Sequence, residues 1–417
     1  MYDKHAPNTG MRVLLFLTIA CALCAGLLIV RVGKSAYAAP LSTHRMLATS
    51  TVNWNQFGYR HTRFNPFETT LNPSNVSHLT PKWATYVGDV VDSSPAIVDG
   101  VIYIGSYDHA MKALDAASGQ LLWSHQLATP PPNSLPEDID HSSPAVANGL
   151  VYVGTAWPNI FYAFKAKTGA IAWSFKAGSG IDNSPVIYND AVYFGSDDQK
   201  LYALQAGTGK LLWSFQVNGR FYESSPIIAN GTVYFCVDGG TFYAVNATTG
   251  KLLWSQPGYV PNMPVVANGV VYASFYNDTQ RKYGVAALNG QMGSVLWRTF
   301  TSDIYGRIQS SPAIANGVVY IGTGDSKIFA LNASTGAVQW TYTNPLNTSF
   351  DVAPAVANGV LYTGDAYGQF LALNAQTGKV LWSYEPPKGE VYCSPVVVNG
   401  TLYIGANNGF LYKFDLS

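Results

Sequence analysis

The chain has 417 residues and balances 24 Lys and Arg against 24 Asp and Glu, for a formal charge of zero. Charged residues make up only 12% of it and aromatics 13%, with 39 Gly and 23 Pro; against the roughly 25% charge of an average soluble protein, this suits many short buried strands joined by tight turns and leaves no room for long solvated helices. Setting aside Asp3, Lys4, Arg12, Arg31 and Lys34 leaves an acidic excess of three, which argues against nucleic acid or an anionic membrane surface as a partner, because both demand a concentrated basic field.

Val13 to Val30 is an unbroken run of apolar or small residues, preceded by Lys4 and Arg12 and followed by the A-x-A pattern Ala36-Tyr37-Ala38. That order of charged, apolar and small-residue regions predicts a secretory signal over 1–38, removed on export. The competing reading is a retained anchor over 13–30, since the run is just long enough to cross a bilayer and Arg31 and Lys34 follow it. Either way the destination is outside the cytoplasm. Residues 39–53 then form a linker and 54–417 a single folded unit. Cys21 and Cys24 lie in the apolar run, so the folded unit keeps only Cys236 and Cys393, which make neither a disulfide framework nor a zinc spacing.

From Trp83 onward one unit recurs. Trp83, Trp123, Trp173, Trp213, Trp254, Trp297, Trp340 and Trp382 follow one another at intervals of 40 to 50 residues, a period that marks a repeat architecture whose units cannot bury their faces alone. Each unit divides into four apolar segments. In the third these are Ser184 to Tyr188, Ala191 to Gly195, Leu201 to Leu204 and Lys210 to Phe215. The first connection is Asn-Gly or Asp-Gly in seven units, from Asp99-Gly100 to Asn399-Gly400, which supplies the two positive φ angles of a type I′ hairpin. The third carries A-x-x-G-x-x-x-W, as in AGTGKLLW at 206–213; Gly290 replaces its alanine in the fifth unit.

Four-stranded antiparallel units repeated radially make an all-β propeller. The first-strand prolines Pro95, Pro144, Pro185, Pro226, Pro264, Pro312, Pro354 and Pro395 count eight blades, as do the second-strand tyrosines from Tyr103 to Tyr403. After Tyr403 there is room for one more strand but no tryptophan. The segment 79–86, which carries Trp83, is therefore expected to supply the outer strand of the last blade and close the ring, hiding the edges that an open array exposes.

These columns, A-x-x-G-x-x-x-W with S-P and V-Y-x-G, resemble the pyrroloquinoline quinone (PQQ)-type propeller repeat over residues 54–417, shared by quinoprotein dehydrogenases and the outer-membrane assembly lipoprotein BamB. The lead-in WNQFGYRHTRFNPFETTLNPSNVSHLTPKW at 54–83 also looks like the opening segment of quinoprotein alcohol dehydrogenases. The resemblance to the dehydrogenases implies PQQ on the ring axis, with a tryptophan below, a vicinal disulfide above, a calcium ion and a catalytic aspartate. This sequence has no adjacent cysteines, and Trp54 and Trp157 are its only tryptophans outside the repeat column. The long insertions and the His-Asp-rich loop of the dehydrogenases are also missing; the one large insertion is Ala128 to His141, a proline-stiffened loop.

The repeat tryptophans are read as packing between blades. A second column is not: three residues before the successive prolines stand Asp92, His141, Asp182, Glu223, Pro261, Gln309, Asp351 and Tyr392. First strands line the axis of a propeller, so these residues are expected to ring one mouth of the channel. Polar residues there can simply solvate a loop end, but carboxylates converging on an axis repel one another and favour a bound cation, a basic ligand group or raised pKa values. The loops between second and third strands share that face and bring Tyr107, Trp157, Asp197, Asp198, Asp365 and Tyr367.

The expectation is an exported, non-catalytic propeller and monomer that acts as a binding or assembly scaffold at the cell envelope, without cofactor or metal. Its partner is a protein, a peptide or a hydroxylated ligand, and membrane contact runs only through the N-terminal segment. The alternative is a minimal PQQ- and calcium-dependent quinoprotein dehydrogenase of alcohols or aldoses.

Overall fold

The structure, a computed structural model, describes residues 52–127, 142–222, 224–387 and 389–417. The signal, the anchor reading, most of the linker, the insertion with His141, and Glu223 lie outside them. By contacts the chain divides into Met1–Thr49 and Ser50–Ser417; the second unit is described here. No helix among the described residues is long and apolar enough to cross a membrane.

Eight antiparallel sheets follow one another in sequence, making the eight-bladed propeller. In blade three the strands are Val186–Tyr188, Ala191–Ser196, Lys200–Gln205 and Leu211–Gln216. The first is shorter than the apolar pattern predicts because the Ser184 N–H leaves the ladder and donates to Ser225 Oγ of the next blade at 2.9 Å. Asn148 and Gly149 have φ of 51° and 73°, as a type I′ turn requires. Asn189 and Asp190 fill the same slot with φ of 44° and 58° and no glycine. Asn and Asp are the side chains that tolerate this region best.

Every outer strand carries a bulge immediately before its tryptophan. In blade three Trp213 lies opposite Ala203 while Leu211 lies opposite Leu204, so Leu212 is the extra residue. The same shift occurs before Trp83, Trp123, Trp173, Trp254, Trp297, Trp340 and Trp382. A bulge re-aims the following side chain, and here it turns the indole toward the next blade. Trp83 Nε1 donates to Ala117 O at 3.1 Å, Trp123 to Ala166 O at 2.8 Å, Trp173 to Ala206 O at 2.8 Å and Trp213 to Ala247 O at 3.0 Å. Trp254, Trp297 and Trp340 repeat the bond to Gly290, Ala333 and Ala375. The apolar core lies likewise between neighbouring blades, as where Phe161 of blade two stacks on Phe194 of blade three at 4.0 Å.

Leu79–Tyr86 pairs antiparallel with Phe410–Leu416, from Leu79 opposite Leu416 to Tyr86 opposite Phe410, and is the outer strand of blade eight. Trp382 of blade seven donates to Leu79 O at 3.1 Å.

The segment before this strand has a role that the repeats do not suggest. Residues 54–65 run across the inner strands and bond to blade after blade. Trp54 exchanges two main-chain bonds with Ile97, Asn55 O accepts from Val146, and Gln56 Oε1 accepts from Ile187. Thr62 O accepts from Ile314, Arg63 O from Val356, and Asn65 Nδ2 donates to Val397 O. Phe64–Asn65 adds a fifth, parallel strand to blade seven. Inner strands otherwise turn an unpaired edge to the axis, and buried backbone groups must be paired somewhere. Arg63 locks the segment in place: it is fully buried, and its guanidinium donates to the carbonyls of Phe57, Pro354 and Pro395 at 2.8, 3.0 and 3.1 Å. Burial pulls it down to about 9, which leaves it cationic at neutral pH.

A chain beginning at residue 88 loses both the axial segment and the outer strand of blade eight, and exposes strand edges that template association. It is expected to aggregate or to unfold without cooperativity, whereas a chain beginning at residue 50 stays monomeric and unfolds in one transition. Size-exclusion chromatography with urea denaturation checks this.

Candidate functional site

A cavity of about 540 Å³ opens on the axis. Its outer wall comes from the column three residues before the prolines: Asp92, Asp182, Pro261, Gln309, Asp351 and Tyr392 all line it. These residues end the links between blades, where the chain leaves an outer strand and turns inward, so each of these six blades delivers one side chain to the mouth. His141 and Glu223 occupy the corresponding sequence positions outside the described residues.

Two residues deeper comes a belt that the sequence shows only as the serine of the S-P column. Ser94, Ser143, Ser184, Ser225, Ser311 and Ser394 line the cavity, and their hydroxyl oxygens tie one blade to the next. Ser94 N–H donates to Ser143 Oγ at 2.9 Å, Ser143 to Ser184 at 3.0 Å and Ser184 to Ser225 at 2.9 Å. Met263 N–H donates to Ser311 Oγ at 3.1 Å and Ala353 N–H to Ser394 Oγ at 3.1 Å. Ser394 N–H donates to Ser94 Oγ at 3.0 Å, carrying the belt from blade eight to blade one. Met263 and Ala353 are the two members of the column without a hydroxyl. Phe57, from the axial segment, lines the same cavity. The axial segment, bonded to the inner strands, thus contributes to the wall of this cup.

The mouth is electrostatically tense. Tyr107 Oη donates to Asp92 Oδ2 at 2.6 Å, and Ser349 Oγ donates to Asp351 Oδ2 at 2.5 Å. Asp351 Oδ1 is buried without a hydrogen-bond partner, and desolvation pushes this carboxyl above the ordinary range, with only partial relief from Ser349 and the charge of Arg307. Tyr392 is pushed up to about 12, by burial first and then by the charges of Glu390, Asp351 and Asp92. Behind the wall, Cys393 is fully buried and pushed up to about 12, mainly by desolvation. It and Cys236 are free thiols.

Of the loop residues named from the sequence, Tyr107 lines the cup, while Trp157 and Tyr367 are exposed on the outside. Several loop carboxylates are already bonded to neighbouring groups. Asp108 pairs with Lys112 at 2.5 Å, Asp198 accepts from Tyr202 Oη at 2.5 Å, and buried Asp365 accepts from Asn344 and Thr348 at 2.7 and 2.8 Å. The eight repeat tryptophans stand on the outer strands, away from the cup. Sequence reading missed the serine belt, Phe57 and Asn262. The serines were in view as a recurring S-P pair, but their inter-blade bonds become visible only once the ring is built.

A family model described as the β-propeller of the beta-alanine-activating enzyme matches residues 91–416. Among curated proteins, the dehydrogenase subunit of the quinone alcohol dehydrogenase of Komagataeibacter europaeus is 37% identical over 84 residues, 19% of this chain and 11% of that protein. The outer membrane protein assembly factor BamB of Yersinia pestis is 42% identical over 57 residues, 14% of each chain. The matched stretches thus span only 11% and 14% of these relatives' own length. A solved europium-containing methanol dehydrogenase superposes with a TM-score of 0.72 at 15% identity, covering 87% of this chain and 98% of that one, a likeness of fold.

Asp351 offers a direct test of the mouth. Its folded-state pKa lies above the unfolded value, so the folded state binds the proton more tightly and stability falls as pH rises through the interval between the two. Asp351→Asn is therefore expected to raise the Tm at pH 7 by about 2 °C or more, with the gain vanishing below about pH 3.5, where the carboxyl is protonated in both states. Thermal melts of both proteins across pH 3–8 check it; a gain that persists at low pH contradicts the assignment.

Proposed function

The chain belongs to this β-propeller family, and from that premise we propose that it is an exported, non-catalytic binding module of the cell envelope, whose partner or ligand is received by the acidic cup. The observation that carries this reading is the composition of the cup wall. Carboxylates of Asp92, Asp182 and Asp351 come from three different blades and stand above a belt of hydroxyls, so the mouth presents spread negative charge and the interior presents polar groups fixed by the ring itself. Spread charge attracts a cationic or hydroxylated partner. Rigid inner strands give it a preformed seat, which reduces the ordering that binding requires. Export is supported by the signal pattern of residues 1–38 and by the likeness to an outer membrane assembly factor.

The second reading, a PQQ- and calcium-dependent dehydrogenase of alcohols or aldoses, is favoured by the likeness to the quinone alcohol dehydrogenase subunit. The described residues do not fit those groups. No three His, Cys, Asp or Glu among them are close enough to hold one metal ion. Calcium takes six to eight oxygen ligands. The two free thiols lie in blades four and eight, both buried, so no vicinal pair covers the mouth. The aromatic ring lining the cup from the axial segment is Phe57 rather than a tryptophan. A catalytic constellation needs all its roles filled.

Purified protein incubated with PQQ and calcium is expected to bind no stoichiometric quinone and to reduce no dye in the presence of ethanol or glucose. Stoichiometric binding with alcohol-dependent turnover would replace the scaffold reading by the enzyme reading.

A further inference from the structure

Blades five, six and seven supply one wall of the cup, and two acceptor atoms on it are left open. Blade five carries Pro261 and Met263 at the mouth and belt positions, and between them Asn262, which is 4% exposed and lines the cavity. Its amide nitrogen donates to Ser274 Oγ and to Ser310 O, both at 3.0 Å. A carbonyl oxygen can only accept, so the bond to Ser310 O fixes which end of the amide is nitrogen and which is oxygen. That oxygen, Oδ1, is buried and has no hydrogen-bond partner. From blade six the contacts continue into blade seven, where Ser310 Oγ donates to Val352 O at 2.9 Å. Asp351, the residue before it, also lines the cavity. Its Oδ2 accepts from Ser349 Oγ, while its Oδ1 is buried without a hydrogen-bond partner. Arg307, the described cation whose charge acts on it, is exposed and leaves Oδ1 unbonded.

Each open acceptor forfeits the hydration of its oxygen, and a group with several N–H donors restores both at once. The carboxylate favours a cation in that role, because bonds between charged partners are the stronger ones. The two oxygens belong to blades separated by a third, whose Gln309 lines the same cavity. An ammonium is a compact point charge, whereas a guanidinium spreads five N–H donors over a planar fork. A flat, weakly hydrated cation also stacks on aromatic faces. Tyr392 lines the cavity, is 40% exposed, and stands close enough to Asp351 for that carboxylate to act on its hydroxyl. The fold already makes this pairing once, where the Arg63 guanidinium lies 4.8 Å from the ring centre of Phe57.

We infer that the cup binds an alkylguanidinium group, with its N–H fork shared between Asn262 Oδ1 and the Asp351 carboxylate and its plane against Tyr392. This rests on the binding-module reading and names the ligand class of the same site. The group is carried either by an arginine side chain of a peptide or by a free alkylguanidine, and the chemistry that recognises it is the same.

The test is titration calorimetry of the full-length protein at pH 7 with butylguanidine, butylamine, the capped peptides acetyl-Ala-Arg-Ala-amide and acetyl-Ala-Lys-Ala-amide, and PQQ with calcium. Butylguanidine is expected to bind at one site and butylamine at least about tenfold more weakly, with the arginine peptide likewise ahead of the lysine peptide. Tighter binding by the arginine peptide than by butylguanidine identifies a peptide as the source of the group, and the reverse order a small guanidine; either supports the inference. Asp351→Asn is expected to weaken butylguanidine at least about tenfold, the loss of one charge-assisted bond, and Asn262→Ala about threefold, the loss of one neutral acceptor. Asp190→Asn makes the same change of charge in the hairpin at the other end of the first strand of blade three and is expected to leave binding unchanged. Asp351→Asn folds with a raised Tm on the account above, so its weaker binding cannot come from unfolding, and Tm values identify an Asn262 variant that fails to fold. Butylamine binding as tightly as butylguanidine, equal losses from Asp190→Asn and Asp351→Asn, or no binding by either guanidinium probe overturns the inference. Stoichiometric binding of PQQ overturns the binding-module reading itself, whereas silence from every probe including PQQ removes only the guanidinium.

Discussion

The bond from each tryptophan indole to the carbonyl of the next blade is the contact on which the rest of the ring depends. It explains the A-x-x-G-x-x-x-W pattern as two halves of neighbouring seams. The tryptophan reaches forward to the following blade, and the glycine receives the indole of the preceding one. Gly209 has φ +71°, and a Cβ placed there would lie 2.5 Å from Trp173 Cε3; Gly119, Gly169, Gly250, Gly293, Gly336 and Gly378 meet the preceding tryptophan in the same way. The acceptor is main-chain carbonyl, so the alanine is free to change: Gly290 takes its place and Trp254 still bonds at 2.9 Å. A single such bond contributes about 1 kcal/mol net, but each also fixes where an indole packs, and the pattern recurs at every junction.

The second-strand tyrosines share the same acceptors. Tyr152 and Tyr193 donate to Ala206 O and Ala247 O at 3.1 Å, beside the indoles of Trp173 and Trp213. The exception identifies the seam. Tyr362 of blade seven is fully buried and its hydroxyl has no partner, because blade eight has no A-x-x-G turn to present a carbonyl. Its outer strand comes from the other end of the chain, and Trp382 bonds instead to Leu79 O. Tyr403 of blade eight finds Ala116 O of blade one at 3.4 Å, so the pattern resumes as soon as the turn does.

The repeats made the propeller, its blade number and its inward and outward strands legible, because a columnar pattern reports contacts that recur with the period. The candidate site was legible to the same extent. Asp92, Asp182, Gln309, Asp351 and Tyr392 form a column and come together on the cup wall. What does not recur was hidden. The axial segment bonds to Ile97, Val146, Ile187, Ile314, Val356 and Val397, each two residues after a column proline, but nothing in residues 54–65 repeats to show that they reach those targets. Arg63 belongs to no repeated column, and its burial among three carbonyls has no sequence signal. Blade five carries Pro261 and Met263 where other blades have an acid and a serine, a departure the sequence shows, but that Asn262 lines the cup is seen only in the assembled ring. The bulge before each tryptophan was in the repeats throughout, but alternation of side chains does not separate a bulged strand from a regular one over six residues.

Close approach of indole to glycine, rather than backbone conformation alone, holds blade to blade. Chemical denaturation of Gly209→Ala beside Gly100→Ala tests it most directly, since both glycines have positive φ, +71° and +78°, but nothing lies within 4 Å of a Cβ at Gly100. Left-handed strain alone costs about 1–2 kcal/mol, and the account predicts that Gly100→Ala loses no more than this while Gly209→Ala loses at least about 2 kcal/mol more. Equal losses at the two positions would contradict it.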